Sequence, residues 1–466
     1  MQGKSLVMLL VVLYASAFLA GFNENLVNMA LMSIMGEYGV DSVAAQWLVT
    51  GYMIVATIVV MCMAFMYRRF KLRPLYFAAA AFTLVGSLMG LFASSFELLM
   101  AARLVQAAGS GIFIPLMMNT VLVVAPKRKL GTFLAIGGCV ITFGPALAPT
   151  VCGALVTSFG WHSVFAVPLA AMAVLALVAL FAVKNMGFSP AHLDIPSTVL
   201  SAVFLCALSL GLVELTIDVA LAVGSLAVAV VTAVLFVLRQ LRCEHPLIDL
   251  TPMKSRAFWP SVVLTTIAMM GSFSMSVLLP LYLEGGTGLT AFAAGLLMLV
   301  PVLVNAGTTL LGGRIMDARG EWPLLPAGFA AIAAGFVVMA ALAPMLSLPA
   351  AFVAALLIMG GTGFIFSPSQ TAGLRTLPQE MNPFGVAIST TFVQIAACIG
   401  PSLYTGIMST AQMGALASGV DEALATAQGF SVAMVVAACI AAAGCALALV
   451  YSRAAVKRDA KRAGSM

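Results

Sequence analysis

The chain has 466 residues, of which 62% are hydrophobic and 8% charged, against roughly 25% charged in ordinary soluble domains. That excludes a string of soluble domains, and the net charge of +6 reads as the loop bias of a polytopic membrane protein, not as a nucleic-acid footprint. No Gly-x-x-x-x-Gly-Lys phosphate loop is present, and His162, His192 and His245 fall at three separate helix ends, so neither nucleotide nor metal, nor any other cofactor, is expected.

Apolar stretches long enough to cross about 30 Å of hydrocarbon fall at approximately 5–35, 43–66, 74–94, 98–123, 130–156, 162–183, 195–215, 219–238, 258–283, 290–313, 323–343, 349–373, 384–410 and 428–452. Fourteen crossings put both termini on one side. Every Lys and Arg except Arg103 then sorts to that side, from Lys4 and Arg68/Arg69 through Lys127/Arg128/Lys129 to the tail after 452. The opposite loops carry acids instead: Glu37, Asp41, Glu97, Asp218, Glu284, Asp421 and Glu422. The positive-inside rule makes the basic side, and both termini, cytoplasmic. Lys4 and Ala15-Ser16-Ala17 imitate a signal peptide, but the apolar pattern continues past them, so an uncleaved first span is expected. None of the eight cysteines lies in an outer loop, so no disulfide framework is expected.

Two charges fall inside spans. Glu24 lies outward of the middle of the first stretch, where burial favours the neutral carboxyl. The alternative is a helix ending near Phe22 with Glu24 as a solvated loop acid. Arg103 lies about six residues past Glu97, roughly 9 Å deep at 1.5 Å per residue. A cation there faces a cavity or a partner, with Glu24 the obvious one, or else snorkels to the outer surface. The many methionines and phenylalanines suit either an adaptable cavity or lipid-facing helices. On pattern alone, Asn28, Asn119, Asn305 and Gln394 are candidates to line a substrate cavity.

Two segments repeat in order and spacing. Gly109-Ser110-Gly111-Ile112-Phe113-Ile114-Pro115 in the fourth span mirrors Gly361-Thr362-Gly363-Phe364-Ile365-Phe366-Ser367-Pro368 in the twelfth, and Gly144-Pro145 in the fifth mirrors Gly400-Pro401 in the thirteenth. Two copies of a six-helix unit with an inserted helix pair follow: residues 1–184, then 185–257 holding the seventh and eighth helices, then 258–452, then a basic cytoplasmic tail over 453–466. Parallel six-helix halves are a transporter architecture. The Gly and Pro residues allow close approach of helices and bend them.

On these motifs the chain resembles the fourteen-helix drug:proton antiporters of the major facilitator superfamily, and among them the lincomycin-resistance-like bacterial exporters. Asn23-Glu24-Asn25-Leu26-Val27-Asn28 is similar to the family's first-helix signature, Gln46-Trp47-Leu48-Val49-Thr50-Gly51-Tyr52 to its second-helix entry, and Arg103-Leu104-Val105-Gln106 to its fourth-helix Arg-x-x-Gln motif. Leu377-Pro378 through Asn382-Pro383-Phe384-Gly385 is similar to its connection into the thirteenth helix. The resemblance implies an all-α membrane protein with the major facilitator fold, in a bacterial cytoplasmic membrane. It implies a proton-coupled exporter of amphipathic small molecules that needs no cofactor or nucleic acid and functions as a monomer in the bilayer. Glu24 and Arg103 become the proton-coupling pair, and Asn23 and Gln106 join the cavity residues.

The pattern departs from the family in places. The Gly-x-x-x-Asp loop motif keeps its acid only in the second half, as Gly313-Arg314-Ile315-Met316-Asp317-Ala318-Arg319-Gly320, whereas the first half reads Ala64-Phe65-Met66-Tyr67-Arg68-Arg69. A latch around Asp317, with Arg314 and Arg319 close by, is therefore expected in the second half alone. In the fifth span the antiporter motif reads Ala148-Pro149 with Cys152 before Gly153, where Gly-Pro is usual. The rival functions are a metabolite importer or facilitator, and a non-transporting membrane sensor. An enzyme is not expected.

Overall fold

Inside hydrocarbon every backbone N–H and C=O needs an internal partner, so spanning segments of this composition become helices. The computed structural model describes residues 4–28, 30–40, 42–185, 194–214, 219–243, 246–289 and 291–463, and its regular structure is helical. In chain order the helices are α1 (Lys4–Glu24), α2 (Leu31–Tyr38), α3 (Ser42–Arg69), α4 (Leu72–Leu91), α5 (Phe96–Val124), α6 (Leu130–Phe159), α7 (Ala166–Ala182) and α8 (Ile195–Glu214). They continue with α9 (Val219–Arg242), α10 (Trp259–Gly285), α11 (Ala291–Arg319), α12 (Leu324–Leu342), α13 (Leu348–Leu374), α14 (Asn382–Ala417) and α15 (Glu422–Ala463). Among the described residues, 13 helices are long and apolar enough to cross a membrane. The 30-residue α6 stands beside them at the expected fifth crossing. Asp41, Asp218, His192 and His245 lie outside the described residues.

The first stretch is not one helix. α1 stops at Glu24, the chain turns over 25–28, and α2 follows as an 8-residue helix. The turn is held by Leu26 N–H donating to Asn23 O at 3.3 Å and Ala30 N–H to Val27 O at 2.8 Å. Leu26, Val27, Ala30 and Ile34 are buried, which is why the apolar pattern runs on through a segment that is not helical. Farther on, Trp161 Nε1 donates to Glu37 at 2.6 Å and fastens α2 to the turn before α7. The basic tail expected after 452 is a continuation of α15 as far as Ala463.

The repeated glycines occupy equivalent helix crossings. A Cβ at Gly109 would stand 2.6 Å from Ala79 O of α4, and one at Gly361 2.6 Å from Gly328 O of α12. Gly111 meets Ala56 O of α3 at 2.6 Å, and Gly363 meets Asn305 O of α11 at 2.5 Å. Gly144 meets Phe18 O of α1 at 2.6 Å, and Gly400 meets Met270 O of α10 at 2.8 Å. Helices α1 and α3–α7 thus repeat as α10–α15. One core gathers around Leu13, Tyr76, Phe113 and Phe165 and runs on to Val262, Leu374, Val386 and Ile388 of the second set, and a second lies around Tyr282, Phe329, Phe336 and Phe430.

Helices α8 and α9 pack on each other, with α8 against α3 and α14 and one face of α9 bearing exposed Val223, Val230, Val231 and Leu241. A polar node holds this pair. Asp194 caps α8 through Ser197 N–H and binds Arg239 of α9 with two hydrogen bonds of 3.1 and 2.8 Å. Ser197 Oγ also accepts from Gln240 Nε2 at 2.5 Å, and Gln240 Oε1 accepts Ile248 N–H at 3.0 Å, which fixes the chain leaving α9. Desolvation pushes the Asp194 carboxyl up, but the hydrogen bonds from Arg239 and Ser197 outweigh it and hold the carboxyl below the ordinary carboxylate range.

Asp194→Ala removes the cap and the ion pair together and is expected to cost about 1–3 kcal/mol, read as a lower melting temperature of the purified protein. Because the folded carboxyl titrates below its unfolded value of about 3.9, its contribution is complete above that pH. It is lost as pH falls through the lower folded value. The difference between wild type and variant should therefore shrink only in strong acid.

Candidate functional site

Arg103 sits in the N-terminal half of α5 with its side chain fully buried. Four neighbours hold the guanidinium. Nη1 donates to Asn23 O at 3.0 Å and to Gln106 Oε1 at 3.0 Å, Nε donates to Leu48 O at 3.3 Å, and the group lies 4.1 Å from the centre of the Tyr52 ring. Gln106 is held in turn, since its Nε2 donates to Ser87 Oγ of α4 at 2.9 Å. One cation thus ties α1, α3, α4 and α5 together, with Nη2 free of hydrogen bonds.

The anchor on α1 has a physical reason. The last four carbonyls of a helix lack intrahelical partners; the turn after α1 gives Phe22 O and Asn23 O one N–H each, and Arg103 adds a second donor to Asn23 O. Cations are favourable at such an end. Asn23, whose carbonyl Arg103 takes, is itself fully buried, and neither of its side-chain polar atoms has a partner. Glu24, the next residue and the last of α1, is half-buried, and no hydrogen bond or ion pair joins it to another described residue. Arg103 therefore neither snorkels outward nor pairs with Glu24 directly; it holds the backbone on which Glu24 stands.

The remaining candidates disperse. Gln106 belongs to the Arg103 cluster as a support. Asn28 is exposed in the turn after α1 and donates to Asn25 Oδ1 at 3.0 Å. Asn119 is buried and donates to Pro115 O at 2.9 Å within α5, and Asn305 is buried and donates to Met359 O at 2.8 Å, joining α11 to α13. Gln394 is half-buried on α14. Pro145 closes the α1–α6 crossing, where its Cδ would stand 3.0 Å from a Cβ at Gly21. Pro401 lies within α14, and Thr405 Oγ1 donates to its carbonyl at 2.7 Å. Gly153 O accepts from Thr157 Oγ1 at 3.0 Å, and the side chain of Pro149 lies outside the described residues.

Asp317 joins the two halves. Its Oδ1 accepts Gly131 N–H at 2.8 Å, and its Oδ2 accepts Thr132 N–H and Oγ1–H at 2.7 Å each, all at the start of α6. Its ion-pair partner is Arg375, just past α13, while Arg314 and Arg319 are exposed and bind no described acid. A Cβ at Gly313 would stand 2.6 Å from Gly131 O, so this crossing also requires glycine.

The sequence reading missed Tyr52, Ser87, Thr132 and Arg375. Tyr52 stood in a quoted motif, but its ring contact needs α3 and α5 side by side. Arg375 carried one signal, a lone cation between the twelfth and thirteenth spans.

A family model described as Major Facilitator Superfamily matches residues 13–401. Lincomycin resistance protein LmrB of Bacillus subtilis is 32% identical over 416 residues, covering 87% of this chain and 86% of that protein. Riboflavin transporter RibZ of Clostridioides difficile is 24% identical over 406 residues, covering 86% and 88%. The proton:xylose symporter XylE, solved bound to 6-bromo-6-deoxy-D-glucose, superposes with a TM-score of 0.63 at 14% identity over 94% of this chain and 95% of its own, a likeness of fold.

Arg103→Ala strips two carbonyls, Gln106 and the Tyr52 ring of their cation and is expected to cost on the order of 2–4 kcal/mol, measured by thermal unfolding in detergent. Arg103→Lys keeps the charge but not the planar fork and should recover less than half of that. Full recovery by lysine would show that charge alone matters at this position.

Proposed function

Because the chain belongs to the Major Facilitator Superfamily, a family of membrane transporters and not of enzymes, we propose that it exports amphipathic small molecules in exchange for protons by alternating access. The observation that carries the coupling reading is Glu24, a carboxyl at the break between α1 and α2 that no described residue pairs with, on backbone fastened by Arg103. A carboxylate so placed is costly to ionise where water is scarce. Its protonation is then set by which side admits water. The neighbouring guanidinium favours the ionised form whenever it approaches. Arg103 transmits the change by position, since any shift of the Asn23 carbonyl pulls on α3, α4 and α5 together.

The export reading is supported by the similarity to a lincomycin resistance protein. In this reading fourteen helices cross the bacterial cytoplasmic membrane with both termini inside. Residues 1–184 and 258–452 are the moving bundles, 185–257 the inserted pair and 453–466 the tail. Asn23 and Gln394, with Asn28, Asn119 and Asn305, are the polar groups offered to the substrate. The Asp317 contact closes the cytoplasmic side, and the protein works as a monomer. A metabolite carrier is the second reading, favoured by the similarity to a riboflavin transporter.

Glu24→Gln is expected to abolish dye accumulation driven by an imposed pH gradient in inverted membrane vesicles. It should leave downhill dye exchange measurable at an unchanged protein level. Full gradient-driven accumulation by the variant would remove Glu24 from coupling, and accumulation by the wild type without a gradient would end the antiport reading. Val219→Cys, at the start of α9, should react with an impermeant maleimide from outside intact cells, as fourteen crossings require.

A further inference from the structure

The exposed residues of α15 form a row along the helix. Val432, Val435, Cys439, Ala443, Ala446 and Val450 follow one another at steps of three or four residues, which is one helix face. Ala437, Ala441 and Ala448 between them are buried, so the row faces the acyl chains where α15 crosses. It does not stop with its apolar members. The next residue in register is exposed Arg453, and α15 continues as helix to Ala463, so positions 457 and 461, both Lys, extend the row. Two neighbouring turns close on the same helix end. Tyr451 Oη donates to Ala257 O at 2.8 Å, which brings the turn bearing exposed Lys254 and Arg256 beside it. Cys445 Sγ donates to Pro326 O at 3.8 Å, so the approach to α12 lies beside the following turn of α15. Trp259 and Trp322, at the starts of α10 and α12, are both 38% exposed, and an indole is favoured at headgroup level. No ion pair joins Lys254, Arg256 or Arg453 to an acid among the described residues. The flanking turns hold two acids, Glu321 and Asp249, whose Oδ1 accepts Thr251 N–H at 2.8 Å.

We propose that the end of α15, with the turns leading into α10 and α12, is a binding site for the phosphate headgroup of an anionic phospholipid. The acyl chains lie along the Val432–Val450 row, which brings the phosphate to the level of Arg453. Arg453, Lys254 and Arg256 supply the charge, the arginines with a planar fork that matches phosphate oxygens, and Trp259 and Trp322 flank the headgroup. A long basic side chain keeps its stem on apolar surface while its head stays among polar groups, which suits a cation at the foot of a lipid-facing row. Basic segments beside a span are drawn to anionic headgroups, and the attraction fades within a Debye length of the surface. Cations crowd other turns too, such as Lys127–Lys129. This rim adds a lipid-facing row that ends on a cation, and two exposed indoles. The site requires only that α15 spans the bilayer, and so it goes beyond the export and coupling readings.

The test is native mass spectrometry of the full chain, delipidated in neutral detergent and titrated with phosphatidylglycerol or with phosphatidylcholine of the same acyl chains. Phosphatidylglycerol should bind more tightly. Arg453→Gln should weaken its binding about fivefold, the worth of one cation beside an anionic surface, and leave phosphatidylcholine binding unchanged. Lys254→Gln, Arg256→Gln and Arg453→Gln together should erase the preference, and Arg453→Gln alone stands in if the triple variant does not fold. Lys127→Gln, Arg128→Gln and Lys129→Gln remove as much charge from another turn and should keep the preference. Equal binding of the two lipids by the wild type, a preference unchanged in the Arg453→Gln and triple variants, or an equal loss in the control triple would overturn the proposal. Release of bound phosphatidylglycerol by excess inorganic phosphate would make this a site for free phosphate and overturn the headgroup assignment. No transport is measured, so failure here is separable from failure of the export reading.

Discussion

A backbone polar group without a partner costs several kcal/mol in hydrocarbon, and the first helix of this protein ends inside the fold. Everything around the candidate site follows from that constraint. The turn after α1 buries Leu26, Val27 and Ala30, and the Asn23 carbonyl accepts both Leu26 N–H and the Arg103 guanidinium. The cation is itself affordable only because two carbonyls, an amide and a tyrosine ring converge on it. Arg103 and the helix break are therefore one feature.

Small residues set how closely the helices approach. At Gly109, Gly111 and Gly144, and again at Gly361, Gly363 and Gly400, a single methyl group would collide with a facing carbonyl. Bilayer lipid supplies no hydrophobic drive for helix association, so close backbone contact carries the packing. These crossings lie within each bundle and make it rigid. Between the bundles a further glycine crossing, Gly313 on Gly131, is joined by a carboxylate on a helix start at Asp317 and a guanidinium on a ring at Arg68. Rigid units joined along distinct seams are what domain rocking demands.

Much of this was legible in the residues. Hydropathy is nearly sufficient to mark spans where every spanning segment must be helical, and the glycine motifs that repeat along the chain fall at matching helix crossings. The first span misled, because Leu26, Val27, Ala30 and Ile34 are buried against other helices, and apolar periodicity does not distinguish a helix from a buried turn. Arg103 and Glu24, expected as partners, lie near enough to interact electrostatically but form no direct ion pair. Opposite charges in one half of a bundle suggest an ion pair, but a helix end inside the protein competes for the same cation.

The sequence by itself determined the membrane class, the helix periodicities, the repeated glycine motifs and the identity of the two charges within apolar spans, since these depend on composition and on spacing along one chain. Only the tertiary structure decided that Asp317 binds the start of α6 and Arg375 instead of its neighbours Arg314 and Arg319. It alone put Tyr52 under Arg103, set α8 across α3 and α14, and left Glu24 unpaired beside a tethered carbonyl. Those partners are up to 186 residues apart in the chain, and a hydrogen bond is a matter of a few tenths of an ångström. Such contacts exist only after the helices have packed, and no periodicity in the sequence records them.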